Sequence, residues 1–530
     1  MTALFIVGGT IIDGTGNPPY RADLAVDDVR LRILRGPAAA PVGADQTDQI
    51  DAHGLIVAPG FIDMHSHSGL MILHDPQHLP KISQGVTTEL VGVDGNSYAP
   101  FLDPEDLRRF VTFNAGLDGR PALDYDWDTV ASYISKLDGA AVNLGCFVGN
   151  AALRICTVGW HDGPAPATAR ATMRSLLREG LEEGAFGLST GLDYPPGSFA
   201  PAAEVADLCR EVARLGALYH THVRYDLGDQ YLDPFREAFR IAESGACPLH
   251  ITHFYCDSSR PHGADAMLEL LDDEQRRGAD VTFDGFPYEW GGTRLTYFLP
   301  QWLQSGGPDP TLERLSDPST RGQFKDDLRA ADPADTWRKF MSRVRVGNFT
   351  ANGNKRYESR TASEIAAARG QDIVDAMCDL LVEEQLGLSA VGPTTTRAAL
   401  PPFLAHPSGM IGTDSMFLGD KPSPRTFGSF PRILGEFVRE ERLFSLVEAI
   451  RKFTSMPARR LGLTDRGLLL DGFAADITIF DPAQVRALAS HDQPRTQSEG
   501  IRHVIVNGVP VYRDGQPTGA LPGRGLRRGR

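Results

Sequence analysis

Six side chains of the kinds that bind divalent cations fall at the ends of predicted strands: His65, His67, Asp94, His222, His253 and Asp414. Imidazole nitrogen and carboxylate oxygen are the donors that zinc and similar ions take. Residues two apart on a strand face the same side, so His65 and His67 can share one ion. A cation held in this way lowers the pKa of water towards about 7 and polarises a carbonyl, so the chemistry implied is metal-assisted hydrolysis. A single histidine at a strand end is more often a hydrogen-bonded structural residue. The signal here is the constellation, four of the fourteen histidines together with two aspartates at the ends of five strands. His220 lies two residues before His222 but sits mid-strand, so it reads as interior. Asn150 closes a further strand, and Cys256, close behind His253, reads as inert packing.

Positioning such residues requires strands whose ends converge. Between residues 61 and 414 short β-branched or apolar runs alternate with amphipathic helical patterns, the signature of repeated βα units. Eight runs qualify as strands: FIDMH at 61, TTELVGV at 87, AVNLGCFVG at 141, AFGLST at 185, ALYHTHV at 217, PLHITHF at 248, DVTFDGF at 280 and GMIGTD at 409. Helical stretches run from Ala167 to Gly184, Pro201 to Gly216 and Gly263 to Gly278, each ending on the glycine expected just past a helix. Eight strands predict a closed (β/α)₈ barrel in the α/β class, with the strand-end residues gathered at one mouth.

The segment from about 301 to 401 is too long for a simple connection and contains helical text such as GQDIVDAMCDLLVEEQ, which predicts an inserted subdomain or lid. The strand-rich ends, 1–56 and 467–530, are expected to pair as one small β domain around a barrel spanning 57–466. Two helical segments after Asp414, SFPRILGEFVREER and SLVEAIRKF, complete the outer ring. The final LPGRGLRRGR reads as a solvated basic tail.

With 530 residues and 42% apolar content the chain can bury a large core, which excludes a small binding module. A net charge of −15 disfavours nucleic acid and anionic membranes. No run approaches the ~20 apolar residues that span a bilayer. Six cysteines without a Cys-x-x-Cys pair suit a reduced cytoplasmic enzyme. No GxGxxG fingerprint follows a predicted strand, so a nucleotide-dependent oxidoreductase has no support. Whether copies of the chain assemble into a homo-oligomer is left open.

The segments APGFIDMHSHSG, QGVTTELVG with NSYAP, STGLDYPPGSFA, THVR, ITH, FPYEWGGT, GTDS, SPRTFGSFPRILG and DRGLLLDGFAADITIFDP resemble the N-acyl-D-amino-acid deacylases, or D-aminoacylases, of the amidohydrolase superfamily. The resemblance runs from the first strand to the tail. The His-x-His opening and the strand-eight aspartate are shared across the superfamily, whereas GLDYPPGSFA and SPRTFGSFPRILG belong to the deacylase branch. It implies one or two divalent ions, most simply zinc. One is held by a cysteine after strand two, here Asp94, with His222 and His253; a second, weaker position uses His65, His67 and Asp414. Asp414 is the implied general base and acid. The family holds its substrate carboxylate with tyrosines, an arginine and a lysine, which points to Tyr194, Tyr288 and Arg425. Tyr255 stands where the lysine would be, and Asn150 where relatives place a histidine. A carboxylate at position 94 can bridge two cations through its two oxygens. The expected substrate is therefore a small molecule bearing a carboxylate, cut at an amide bond. The altered pocket leaves a lactam, cyclic imide, urea or ester open as the scissile group, and a binding relative without turnover as a further alternative.

Overall fold

The computed structural model of the chain describes residues 4–34, 49–257, 259–260, 263–332 and 334–529. Residues 1–3, 35–48 and 530, which fall within the expected terminal β domain and basic tail, lie outside the described residues.

All eight expected strands form and run parallel around a barrel. Phe61–Asp63, Val86–Val91 and Asn143–Cys146 pair in that order. The third strand breaks at Phe147 and resumes as Val148–Gly149, which pairs with Gly187–Gly191. Leu218–His222, Leu249–Ile251, Val281–Gly285 and Gly409–Ile411 follow. The seam between the eighth and first strands is closed by backbone bonds, Met64 N–H to Ile411 O at 3.1 Å and Asp414 N–H to His65 O at 2.8 Å. These strands are buried on both faces, as parallel strands covered by helices must be. The helices Ala167–Glu183, Ala202–Arg214 and Ala264–Arg276 end before Gly184, Gly216 and Gly278, whose φ values of 121°, 60° and 100° are the positive values that let a helix stop there.

The two chain ends meet in one sheet. Ile56–Pro59 pairs antiparallel with Ile477–Phe480, Val57 opposite Ile479, and a second sheet of Arg30–Leu34, Asp23–Asp27, Leu4–Val7 and Gln49–Asp51 packs nearby. Leu4, Ile6, Leu24, Val57, Ile477 and Ile505 share a separate apolar core there. The inserted region begins earlier than expected and is not only helical. Trp290–Arg294, Ser389–Pro393 and Arg345–Gly347 form a three-stranded antiparallel sheet, which carries helices such as Pro318–Ala331 and Ile373–Glu383. Three-residue and glycine-rich strands such as WGGTR carry little periodic signal, so the sheet was invisible in the sequence.

The basic tail is not a solvated appendage. Leu526 N–H bonds Leu144 O at 2.7 Å, the Arg527 guanidinium donates to Glu183 O at 2.6 Å, and Arg528 donates to Leu215 O at 2.9 Å. The Leu144 carbonyl is on the third barrel strand, whereas those of Glu183 and Leu215 lie at or just past helix C-termini, where orphan acceptors and the negative end of the dipole favour guanidinium donors.

Phe61, fully buried on the first strand, joins three parts of the fold. Its ring lies 5.1 Å from Phe453 and 5.5 Å from Phe430 on the outer helices, and 6.3 Å from Phe480 of the terminal sheet. Phe61→Ala is expected to cost about 3–5 kcal/mol, the range for a truncated core aromatic. Denaturant unfolding measures this against Leu102→Ala at a 64% exposed site, which should be neutral.

Candidate metal centre

His65 and His67 follow the first strand, Asp94 the second, His253 the sixth and Asp414 the eighth, while His222 is the last residue of the fifth. All six are buried at the carboxyl-terminal mouth. The Asp94 carboxylate is their centre. Its Oδ2 lies 3.4 Å from His65 Nε2, 3.7 Å from His67 Nε2, 3.7 Å from His222 Nδ1 and 3.6 Å from His253 Nε2. His222 Nδ1 and His253 Nε2 are 3.0 Å apart, and Asp414 Oδ1 is 3.2 Å from His67 Nε2 and 3.7 Å from His65 Nε2. Donors at such spacings can share a cation, and among the described residues three overlapping groups result: His65, His67 and Asp414; His65, Asp94 and His253; and, deeper in the barrel, His65, His220 and Asp284. Four imidazoles and two carboxylates fit zinc or a similar ion.

Asp94, His253 and Asp414 all have positive φ, 51°, 33° and 49°. For residues other than glycine this costs on the order of 1–3 kcal/mol each and persists only where the surroundings impose it. The VDGN sequence around Asp94 suits a tight turn, and that turn and the reach of Asp94 towards the histidines coexist in one conformation.

The outer nitrogens of three of the four histidines are anchored, which fixes ring orientation as it does in metal sites generally. His67 Nδ1 lies 2.8 Å from Asp118 Oδ1, His222 Nε2 3.2 Å from Asp193 Oδ2, and His253 Nδ1 3.1 Å from the Tyr225 hydroxyl. Beneath them Asp284 accepts the His253 backbone N–H at 2.8 Å and sits 3.1 Å from His250 Nε2. His220 is fully buried mid-strand, its ring stacked between Phe147 and His250. Asp118, Asp193, Tyr225 and Asp284 were missed in the sequence. Asp193 adjoins Tyr194 in the GLDYPPGSFA segment and Tyr225 follows THVR, so nearness to quoted motifs was the available signal; Asp118 ends a helix and offered none.

A cavity of about 180 Å³ opens onto the centre, lined by Tyr194, Tyr255, Phe286, Thr293 and Arg425 beside His222, His253 and Asp414, with Phe298, Phe340 and Thr394 from the inserted region. Tyr194, Tyr255 and Arg425 are therefore brought to the site. Arg425 is the only lysine or arginine among the described lining residues, and its Nη1 pairs with Asp414 Oδ2 at 2.8 Å while the guanidinium lies over the Phe286 ring. Two expected substrate residues are not among the lining residues. Tyr288 packs against Arg432, its ring 4.5 Å from that guanidinium, and Phe286 takes the place on the cavity wall. The strand ends at Gly285, so the two-residue alternation that would set positions 286 and 288 alike no longer holds. Asn150 begins the helix Asn150–Val158 and donates to Gly197 O at 3.2 Å, tying the GLDYPPGSFA loop down beside Gly95.

Burial works against charge on His67 and His222, yet the carboxylates beside them prevail: Asp118 and Asp414 raise His67 to about 9, and Asp193 and Asp94 raise His222 to about 9. His65 is also raised, against burial, by Asp94 and Asp414. Burial would raise Asp94, but His65, His222 and His253 hold it well below the usual carboxylate range. Asp414 is brought down to about 2 against burial, chiefly by Arg425 and then His65.

Six convergent donors at the mouth of a (β/α)₈ barrel define a metal-dependent hydrolase. The amidohydrolase family model matches residues 48–512, and the chain belongs to that family, in its N-acyl-D-amino-acid deacylase branch. It is 34% identical to the N-acyl-D-aspartate deacylase of Alcaligenes xylosoxydans xylosoxydans over 99% of this chain and 95% of the relative. It is 32% identical to the D-aminoacylase of the same organism, over 99% and 97%. Among solved structures, the N-acyl-D-glutamate deacylase of Bordetella bronchiseptica, complexed with zinc and a phosphonate mimic of the tetrahedral intermediate, superposes with a TM-score of 0.82 at 32% identity, covering 99% of both chains. A D-aminoacylase described by its binuclear metal centre gives 0.81 at 29% identity, again covering 99% of both. The enzyme is a zinc-type metal hydrolase acting on amide C–N bonds.

Histidines protonated up to about pH 9 in the metal-free protein must release their protons to bind zinc, so protons compete with the ion below that pH. Apparent zinc affinity should therefore rise by about tenfold per pH unit, per proton displaced, between pH 6 and about 8, with proton release on loading. Competition with a chromophoric chelator measures it; an affinity independent of pH over that range would contradict the assignment.

Proposed function

We propose that the chain hydrolyses the amide bond of an N-acyl-D-amino acid in the cytoplasm, using His65, His67, Asp94, His222, His253 and Asp414 as metal ligands. The observation that carries this is the Asp94 carboxylate with four imidazole nitrogens within 3.7 Å, set beside a cavity containing a buried arginine. The relatives' deacylase activities support the substrate class. Six unpaired cysteines support a reducing compartment, and no helix among the described residues is long and apolar enough to cross a membrane. The domain reading, a barrel at 57–466 and a β domain from 1–56 and 467–530, is supported by the Ile56–Pro59 to Ile477–Phe480 pairing.

His222 and His253 with Asp94 would hold one ion, and His65, His67 and Asp414 a second, with Asp94 facing both. Zinc bound there supplies Lewis acidity towards the scissile carbonyl and makes water acidic enough to attack at neutral pH. Asp414, kept ionised beside Arg425, accepts the proton of the attacking water and delivers it to the amide nitrogen, which must be protonated to leave. Tyr194, whose hydroxyl lies 3.3 Å from Thr293 Oγ1, and Tyr255 are placed to orient the substrate. Arg425 reaches a substrate carboxylate through donors beyond those spent on Asp414 and Gly292 O.

One observation favours a second reading, hydrolysis of a neutral lactam, cyclic imide, urea or ester: the sole arginine of the cavity is already paired with Asp414, and Tyr255 and Phe286 bring no charge. A screen of the zinc-loaded enzyme against N-acyl-D- and L-amino acids and these neutral compounds, reading released amine or acid, separates the two. Preference for neutral compounds would overturn the first reading.

Asp94→Ala should lose metal affinity at both positions, read by metal content after dialysis. Normal metal content and turnover would leave Asp94 as a turn residue only. Asp414→Asn should retain the fold and cut turnover by about 10²–10⁴, the contribution of a general acid and base. Near-normal turnover in that variant would remove Asp414 from proton transfer.

A further inference from the structure

A cavity of about 600 Å³ lies at the opposite end of the barrel from the metal centre. Its walls are the amino-terminal approaches to four strands: Gly216–Leu218, Pro248, Asp280–Thr282 and Ser408–Met410. Among the described residues four arginines open onto it, Arg451, Arg459, Arg460 and Arg528, against one side-chain carboxylate, Asp280.

The arginines are not equally occupied. Arg451 pairs with Glu448 at 2.7 Å and Arg460 with Asp280 at 2.5 Å, so these two are neutralised. Arg528 donates only to the carbonyls of Leu215 and Gly216, and its Nε is buried without a partner. Arg459 has no carboxylate partner among the described residues and projects from the helix Ser455–Leu461 into solvent at the cavity. Helix-end carbonyls account for part of this cationic character, since they favour guanidinium donors. Arg459 also lies in the last turn of its helix, but its guanidinium bonds no carbonyl or carboxylate among the described residues. Two uncompensated positive charges share one concavity in a chain of net charge −15. Like charges facing one cavity repel, and an anion between them converts that repulsion into charge-assisted hydrogen bonds. Pro248, Pro407 and Met456, none of them buried, supply accessible apolar surface on the cavity wall.

We propose that this cavity on the barrel floor binds a small phosphorylated ligand: its phosphates lie between Arg459 and Arg528, and an apolar or aromatic group rests on Pro248, Pro407 and Met456. Guanidinium matches phosphate with paired hydrogen bonds, which suits this site better than a point charge would. The site is separate from hydrolysis, because no residue of the metal centre lines it.

Calorimetric titration of the zinc-loaded enzyme with pyrophosphate and with adenosine diphosphate tests the proposal. Saturable binding is expected, tighter for the nucleotide because of the apolar wall and weaker at high salt. Arg459→Ser and Arg528→Ser should each weaken it by about tenfold, equivalent to ~1.4 kcal/mol, while kcat/KM for the amide stays unchanged. Arg459 is exposed, so its replacement keeps the result readable even if Arg528→Ser loosens the tail. Absence of saturable binding at millimolar ligand, or binding equally tight in both variants and therefore located at the zinc site, would overturn the proposal.

Discussion

The seam where the first barrel strand meets the eighth is the constraint on which the site depends. Asp63 accepts hydrogen bonds from Thr413 N–H at 2.8 Å, Thr413 Oγ1 at 2.6 Å and the Lys81 ammonium. Lys81, fully buried, also donates to Thr413 Oγ1 at 2.7 Å and pairs with Glu89 at 3.2 Å. Glu89 is in turn bonded by Ser68 and His78, and these contacts hold it ionised although burial works against its charge. A buried ion pair repays its desolvation only with good geometry and further hydrogen bonds, and here strands one, two and eight all contribute them. The consequence is local: Asp63 is two residues before His65, and Thr413 is next to Asp414. Closing the barrel and presenting two of the metal donors are one event.

The cost of the site is carried by its surroundings. Three donors, Asp94, His253 and Asp414, sit in left-handed backbone conformations, and several acquire their directions from residues that never approach the substrate. Asp284 is the clearest case. By accepting the His253 N–H it holds a strained residue in place, and through His250 it is linked to Thr282 on the barrel floor, 2.8 Å from His250 Nδ1. The line of hydrogen bonds crosses the barrel from the floor cavity to the metal centre, so the interior is a polar support as well as an apolar filling.

The reaction depends on how few charges reach the cavity. Arg425 lowers the pKa of Asp414 and holds the carboxylate ionised, and the same guanidinium is the only lysine or arginine among the described lining residues. Around it stand aromatic rings, Tyr255 6.1 Å from Phe286 and Tyr194 5.6 Å from Tyr297, and a wall of the inserted region with Phe298 and Phe340. Substrate selection is therefore shared between the barrel, which supplies the polar groups, and the insertion, which shapes the space beside them.

The sequence alone determined the eight strands and the six candidate donors that converge, because long βα periodicity and strand-end His and Asp residues are local signals that the barrel then gathers at one mouth. It also determined the pairing of the chain ends, since both carry short alternating strands. Only the tertiary structure decided which of the quoted motif residues face the cavity. Phe286 and Tyr288 are two apart in FPYEW, but the strand ends at Gly285 and the chain turns, so Phe286 enters and Tyr288 leaves. Only the fold could show that Asn150 braces a loop and that the arginine-rich tail docks on helix ends. The anchors Asp118 and Asp284, 51 residues from His67 and 31 from His253, were likewise hidden. Periodicity records which face of an element is buried; the partner of a polar atom is set by chain segments far away, and no local pattern contains it.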